Sequence, residues 1–357
     1  RKRMFCVMSR GGKGKGELLD FMNSGKGANK NKLNLLGLNL PELQTLFQAQ
    51  GLEKYRAAQV FDWVHNKSVF DFENMKNLSR AVREKIQTKF CVELPHTKSF
   101  QRSKDGTCKW LLQLRGSGSE PVVEAQQLQD EIETVFIPDY NDHGQTGVGT
   151  LCISSQVACS LSCAFCRTGS IPKSRLRNLT AAEIVGQVMV AQQHLSQGTA
   201  PLSSSSSSLP SFAPSIASSL LHSTNCQDSP DPVFGKVRNV VLMGMGEPLL
   251  NFRQVSQALR LLLHPNGQGF SKRSITLSTS GIVPNIYKLA QQQDIKVKLA
   301  VSLHAVTDQL RNELVPINKT YSIDKLMEAC KAYGGRQITF EYVLLQGVND
   351  SAAEGRQ

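Results

Sequence analysis

The sequence predicts an α/β protein: a β/α barrel, open or closed, behind a small N-terminal helical domain. Three observations predict it. From about residue 150 onward, strand-like apolar runs alternate with helix-like stretches. Residues 33–94 instead carry apolar positions at helical spacing. Between these regions lie two β-rich runs separated by a turn-forming segment. Repeated strand and helix with apolar strands is the pattern of a parallel sheet with crossover helices.

Residues 1–32 hold nine Lys or Arg against Glu17 and Asp20, so +7 of the net +12 sits there. The basic character is largely a tail, and nucleic-acid binding does not follow from overall charge alone. The segment has no periodicity. It reads as a disordered arm, with a targeting remnant and an RNA-touching tail as alternatives. The stretch "GGKGKGE" lacks the Gly-Lys-Ser/Thr ending of a phosphate loop. The chain begins with Arg1, so its true start is expected upstream.

Residues 33–97 read as three amphipathic helices. Asn39 is the candidate cap of the first, with Pro41 in its first turn and Leu43, Leu46 and Phe47 on its inner face. Ala57, Val60, Phe61 and Val64 form a second stripe. Leu78, Val82, Ile86 and Phe90 form a third, with Ser79 near its start. Residues 98–149 read as a β-hairpin extension, with strands at "TCKWLLQL" and "EIETVFIP" and a turn at "RGSGSEP".

Residues 150–357 carry the barrel pattern. Strands are expected at 150–157, 239–247, 274–281, 297–305 and 337–345. Helices are expected at "TAAEIVGQVMVAQQHL", "NFRQVSQALRLLLH", "GIVPNIYKLAQQQ" and "SIDKLMEACKAYG". Residues 196–236, with serine at every position from Ser203 to Ser208, read as a disordered insertion. Cys226 lies inside it and is given no role.

Hydrophobic residues are 40% and charged residues 20%. No apolar run reaches about 18 residues, so no membrane span is expected. Nine cysteines, an odd number, and no apolar signal sequence argue against a secreted disulfide framework.

Cys159, Cys163 and Cys166 are spaced C-x3-C-x2-C just after the first barrel strand. A zinc site usually closes with four ligands. Three thiolates suit a [4Fe-4S] cluster whose fourth iron stays open to a small molecule. A zinc knuckle with a borrowed ligand, or three unrelated thiols, are the alternatives. Gly244 and Gly246 end a strand where a ligand can approach the backbone, and Glu247 can accept from an ammonium. Ser278, Ser302 and His304 fall at strand C-terminal ends, where functional residues of such barrels gather. Taken alone, His304 reads as a satisfied buried histidine, Glu133 as an exposed strand residue and Cys152 as a small strand thiol.

The cysteine spacing resembles that of the radical S-adenosylmethionine (SAM) enzymes. The blocks "IETVFIP", "LCISSQVACSLSCAFCRTG", "MGMGEPLLN", "TLSTSGIVP" and "AVSLHAVTDQLRNELVPINKTY" resemble the RlmN-type adenine-C2 RNA methyltransferases, with the Cfr-type carbon-8 methylases as close relatives. The resemblance spans residues 33–350 apart from the serine-rich segment. Ala158 stands where that family usually has Gly.

The resemblance implies a partial radical SAM (β/α)6 barrel, with a [4Fe-4S] cluster and SAM as cofactors. Cys159, Cys163 and Cys166 would hold the cluster. Gly246, Glu247, Ser278, Ser302, Leu303 and His304 would line the SAM pocket, and Glu133 would be the proton acceptor. The implied reaction methylates carbon 2 of an adenine in large-subunit ribosomal RNA, with tRNA as a further substrate. A methylated cysteine delivers the carbon, and a radical links it to the base. Cys152 matches the cysteine that then forms a transient disulfide with the methyl-carrying one and frees the RNA, which requires a thiolate. Cys330, in a helix, does not match the methyl carrier. That cysteine and a last strand are therefore expected beyond Gln357, and the chain alone is expected to be inactive in methyl transfer.

The implied partners are ribosomal RNA, tRNA and an electron donor such as flavodoxin or ferredoxin. A monomer without membrane attachment is expected. The expected compartment is the cytoplasm in a bacterium, or a plastid or mitochondrion in a eukaryote. The rival readings are a carbon-8 methylase and an inactive cluster- or zinc-binding RNA-binding fragment.

Overall fold

The computed structural model describes residues 32–114, 130–141, 144–197, 235–334 and 338–356. The basic front segment, the "RGSGSEP" turn and the serine tract lie outside the described residues.

The N-terminal helices form where the apolar spacing puts them. α1 (Leu40–Ala49) starts at a capping box, with Asn39 and Glu42 each accepting the other's backbone N–H. Pro41 sits in its first turn, where no N–H is needed. α2 (Lys54–Phe61) runs on into a π turn over Asp62–Asn66. α3 (Arg80–Lys89) begins after Ser79, whose side chain makes no cap bond. Leu43, Leu46, Phe47, Ala57, Val60, Phe61, Val64, Leu78, Ile86 and Phe90 are all buried, and Val82 is half-buried. Two short strands, β1 (Leu33–Asn34) and β2 (Phe90–Cys91), pair in parallel and bring the ends of this region together.

The rest is built on one mixed sheet of eight strands. β3 (His96–Arg102), β4 (Cys108–Gln113), β5 (Glu131–Asn141) and β6 (Gly144–Cys152) pair antiparallel in sequence order. β7 (Lys236–Leu242), β8 (Ile275–Thr279), β9 (Lys298–Ser302) and β10 (Ile338–Glu341) continue from β6 in parallel. Among the described residues β3 and β10 each pair on one side only, so closure into a barrel is not seen. β6 belongs to both halves and crosses the boundary placed at residue 150.

α4 (Ala181–Gln197), α5 (Phe252–Leu263), α6 (Val283–Gln291) and α8 (Ile323–Tyr333) supply the crossovers. α4 packs on α5, and α6 on α8. They cover the sheet face carrying Leu151, Val240, Ile275, Leu277, Leu299 and Val301, all fully buried. Burying a side chain of this size contributes roughly 1.5–3 kcal/mol. Two short helices complete the set, α7 (Asp308–Leu314) and α9 (Ala352–Arg356).

Some strands end earlier than the apolar runs suggest. The segment Ile153–Val157, expected to continue the strand, leaves the sheet after Cys152, because its backbone bonds to other loops. Ser155 and Gln156 N–H both donate to the Met245 carbonyl, and Val157 N–H to that of Arg177.

Candidate active site

Side chains alternate between the two faces of a strand, so register decides which residues share a face. Cys152 pairs with Val135 on β5 and Val241 on β7. Val241 pairs with Thr276, Ser278 with Ala300, and Ser302 with Glu341. Two-residue steps along β5, β8 and β9 then place Glu133, Cys152, Ser278, Ser302 and Glu341 on one face, the one opposite the helices. β5 runs antiparallel to β6, so Glu133 lies toward the end where the parallel strands finish. The Ser154 hydroxyl donates to its carbonyl at 2.7 Å.

The loop after β6 carries Cys159, Cys163 and Cys166, all half-buried free thiols. Cys166 N–H donates to the Cys163 carbonyl at 3.0 Å, tightening the turn between them. Ser162 takes φ 53, a left-handed value that turns the chain just before Cys163. Ala164 N–H donates to the Leu314 carbonyl at the end of α7 at 3.0 Å, tying the loop to the helix beside it. Ala158 is buried and lies outside the positive-φ set, so alanine fits there without backbone strain.

The loop after β7 is laced to the loop after β6. Gly244 N–H donates to the Ile153 carbonyl at 3.1 Å, and Glu247 N–H to Gln156 Oε1 at 2.8 Å. A Cβ on Gly244 would stand 2.8 Å from the Ile153 carbonyl, and one on Gly246 would stand 2.4 Å from Gln156 Cβ. The room these glycines leave is therefore filled by the protein's own loop. Gly246 also takes φ 96, which excludes other residues on conformational grounds.

Glu247 is almost fully buried. One carboxylate oxygen accepts from Leu249 N–H at 3.0 Å and the other from Ser280 N–H at 2.7 Å, joining the ends of β7 and β8. Burial pushes its carboxyl upward, against the pull of these backbone donors. His304 takes φ 58 and turns its ring edge-on to Phe165 of the cysteine loop, centroids 4.6 Å apart. Its Nδ1 accepts from Val343 N–H at 3.0 Å, and burial, with Arg311 near, lowers it to about 4. Leu303 and His304 N–H both donate to the Glu341 carbonyl.

Glu133 is exposed and ion-paired with Lys109 at 2.5 Å. Burial pushes the Cys152 thiol up to about 11, with a smaller upward push from Glu341. Among the described residues Cys152 is a free thiol and forms no disulfide. Its register neighbours are Val135 and Val241, and the described cysteines, Cys330 in α8 included, are free thiols.

Three site residues carry no signal in the sequence reading. Arg311, Glu341 and Ser280 reach the site only through strand register and helix packing. A lone arginine in "DQLRNEL" gives no hint that it is fully buried.

The donor set suits a [4Fe-4S] cluster. It is all thiol, it follows a strand end, and its members lie within electrostatic reach of one another. Among the described residues no group of three His, Cys, Asp or Glu is arranged to hold a single ion. A cluster does not ask for that, since each thiolate takes a different iron. Burial pushes Cys159 to about 11 and Cys163 upward, so loading must displace thiol protons.

A mixed sheet with helices on one face and a three-thiol loop at its strand ends defines a radical SAM enzyme, and the comparisons agree. The family model described as Radical SAM superfamily matches residues 233–355. The one described as Ribosomal RNA large subunit methyltransferase N-terminal domain matches residues 33–92. A radical SAM methyltransferase from Sphaerobacter thermophilus superposes with a TM-score of 0.70 at 34% identity, over 90% of this chain and 80% of that one. The dual-specificity RNA methyltransferase RlmN of Francisella tularensis subsp. novicida is 40% identical over 92% of this chain and 75% of its own length. That of Rhodopseudomonas palustris is 43% identical over 91% and 73%. The chain belongs to the RlmN family of radical SAM methyltransferases. That family works with a [4Fe-4S] cluster and SAM.

Proposed function

We propose that this chain is the catalytic body of an enzyme that methylates carbon 2 of an adenine in large-subunit ribosomal RNA and in tRNA. The observation that carries the reading is the shared sheet face. Glu133 and Cys152 stand on the same face as Ser278 and Ser302, at the end where the cysteine loop begins.

In this reading Cys159, Cys163 and Cys166 hold the cluster, and Gly246, Glu247, Ser278, Ser302, Leu303 and His304 surround SAM. Cluster and SAM together supply the radical hydrogen abstraction that methylation of an aromatic carbon requires. Glu133 is the proton acceptor. Its carboxylate is exposed on the open face, so a base can reach it, and Lys109 orients it. Cys152 is the resolving thiol that frees the RNA from a methyl-carrying cysteine. It is protonated at neutral pH, so it attacks only after losing its proton. The proposal extends to a flavodoxin- or ferredoxin-type electron donor and to action as a monomer.

The test uses the full-length protein, loaded anaerobically with iron and sulfide and given SAM, reductant and unmodified ribosomal RNA. Mass spectrometry of the digested RNA should show 2-methyladenosine. Finding 8-methyladenosine instead would transfer the assignment to carbon 8. Stoichiometric zinc without iron would end the radical reading.

A further inference from the structure

Arg311 lies in α7 and is fully buried. Its Nε donates to the Leu303 carbonyl at 3.0 Å and its Nη1 to Asn318 Oδ1 at 2.8 Å. Its Nη2 donates to the carbonyls of Ser280 at 2.8 Å and Ser302 at 2.9 Å. All four acceptors are neutral. Asp308 opens the same helix, but its carboxylate accepts from Asn318 Nδ2 at 2.8 Å and Ile323 N–H at 2.9 Å instead.

Burying a cation is expensive unless an opposite charge balances it. Four carbonyl dipoles solvate a guanidinium without neutralising it. Burial lowers Arg311 to about 10, so it is still charged at neutral pH. What it faces is the cysteine loop. Ser280, whose carbonyl it holds, donates its hydroxyl toward the Cys163 sulfur. Leu314, one turn further along α7, takes the N–H of Ala164, the residue after Cys163. Cys163 packs against the small apolar cluster of Ala305, Leu314 and Val315, of which Leu314 closes this same helix. One short helix thus fixes the loop and carries the cation behind it.

We propose that Arg311 is the buried counter-charge of the cysteine loop and sets the reduction potential of the cluster held there. This rests on Cys159, Cys163 and Cys166 being the cluster ligands. Three thiolates bring negative charge into a partly buried site, and one-electron reduction by an external reductant adds more. A fixed cation nearby favours the reduced form. Arg311 is a positioning and tuning residue and needs no contact with SAM or RNA.

The experiment compares the wild-type full-length protein with Arg311→Gln, Arg311→Met and Arg311→Lys, all reconstituted anaerobically. Iron content, thermal melts and an EPR-monitored redox titration with dithionite are recorded. The neutral variants should favour the oxidised cluster by at least tenfold, a midpoint about 59 mV more negative for a one-electron couple. Lysine keeps the charge without the fork of bonds, so it should lose stability yet stay near the wild-type midpoint. Methionine fills the space with an uncharged chain, leaves the four acceptors without this donor, and serves as a second neutral variant if glutamine does not fold. Neutral variants that bind iron with an unmoved midpoint would overturn the proposal, as would lysine and neutral variants shifting alike. A wild-type protein that binds no cluster would remove the ligand assignment and this proposal with it.

Discussion

Ser278 on β8 donates a hydrogen bond from its hydroxyl to Glu341 on β10, 3.3 Å away, reaching past the strand between them. The residue on β9 in register with Ser278 is Ala300, whose single methyl leaves the way clear. The bond shows that the sheet curls toward its open face at this end. The same curl brings Glu341 within electrostatic reach of Cys152, four strands away.

Cys152 should therefore react slowly as a nucleophile below its raised pKa. Burial and Glu341 hold it up at about 11, so its alkylation by iodoacetamide should climb about tenfold per pH unit between pH 8 and 10. Glu341→Gln removes the charge and keeps an acceptor for Ser278, so the rate at fixed pH should rise. Peptide mass spectrometry reads both. A rate indifferent to Glu341 would break the electrostatic link.

Glu133→Gln should separate chemistry from folding. The carboxylate is exposed, and its bond to Lys109 is a surface ion pair worth under about 1 kcal/mol. Urea melts should move by no more than about 0.5 kcal/mol. Methylated adenine should fall by about 100-fold or more if Glu133 moves the proton. Equal loss of stability and product would assign it a structural role.

Gly246→Ala should be costly for two independent reasons. The backbone sits at φ 96, and the new methyl would meet Gln156 Cβ at 2.4 Å. Positive-φ strain and overpacking together should cost about 2–4 kcal/mol in denaturant melts. A melt close to wild type would show that the two loops are not locked together.

Acid should weaken the fold through its buried histidines. His65 is lowered from the usual 6.5 to about 3 by burial, and His304 to about 4 by burial and Arg311. Both are neutral in the folded protein. Above pH 6.5 the unfolded chain is also largely neutral, so nothing is lost. As pH falls below 6.5 the unfolded chain takes up protons that the folded chain refuses. Stability then declines by up to about 1.4 kcal/mol per pH unit for each histidine, down to the lowered values. His65→Phe keeps a ring against Phe61 and should flatten part of that slope in urea melts from pH 7.5 to 5.

What was legible in the sequence was local. Asn39 announces α1 because its cap is made by a residue three positions away, and the cysteine triplet announces itself by spacing alone. β3 is not legible because His96–Arg102 buries no full face and so shows no apolar alternation. α7 is not legible because seven residues are too few to display a period. Arg311 and Glu341 are hidden for a different reason. Their roles come from partners distant along the chain, and polar residues in apolar surroundings look like any surface residue until register is known. The glycines of "MGMGE" suggest room for a ligand, but the space they leave is taken by the loop after β6.

β6 bonds to an antiparallel neighbour on one side and a parallel one on the other. Glu133, on the antiparallel side, stands two residues from Val135, which pairs with Cys152 at the start of the cysteine loop, so one sheet carries both. No hinge can open between them without breaking the sheet. A chain built this way cannot bring Glu133 toward the cysteine loop by closing two lobes. On the assignment proposed for Glu133, the RNA has to do the moving, and the target base must leave its stack to meet a fixed instrument.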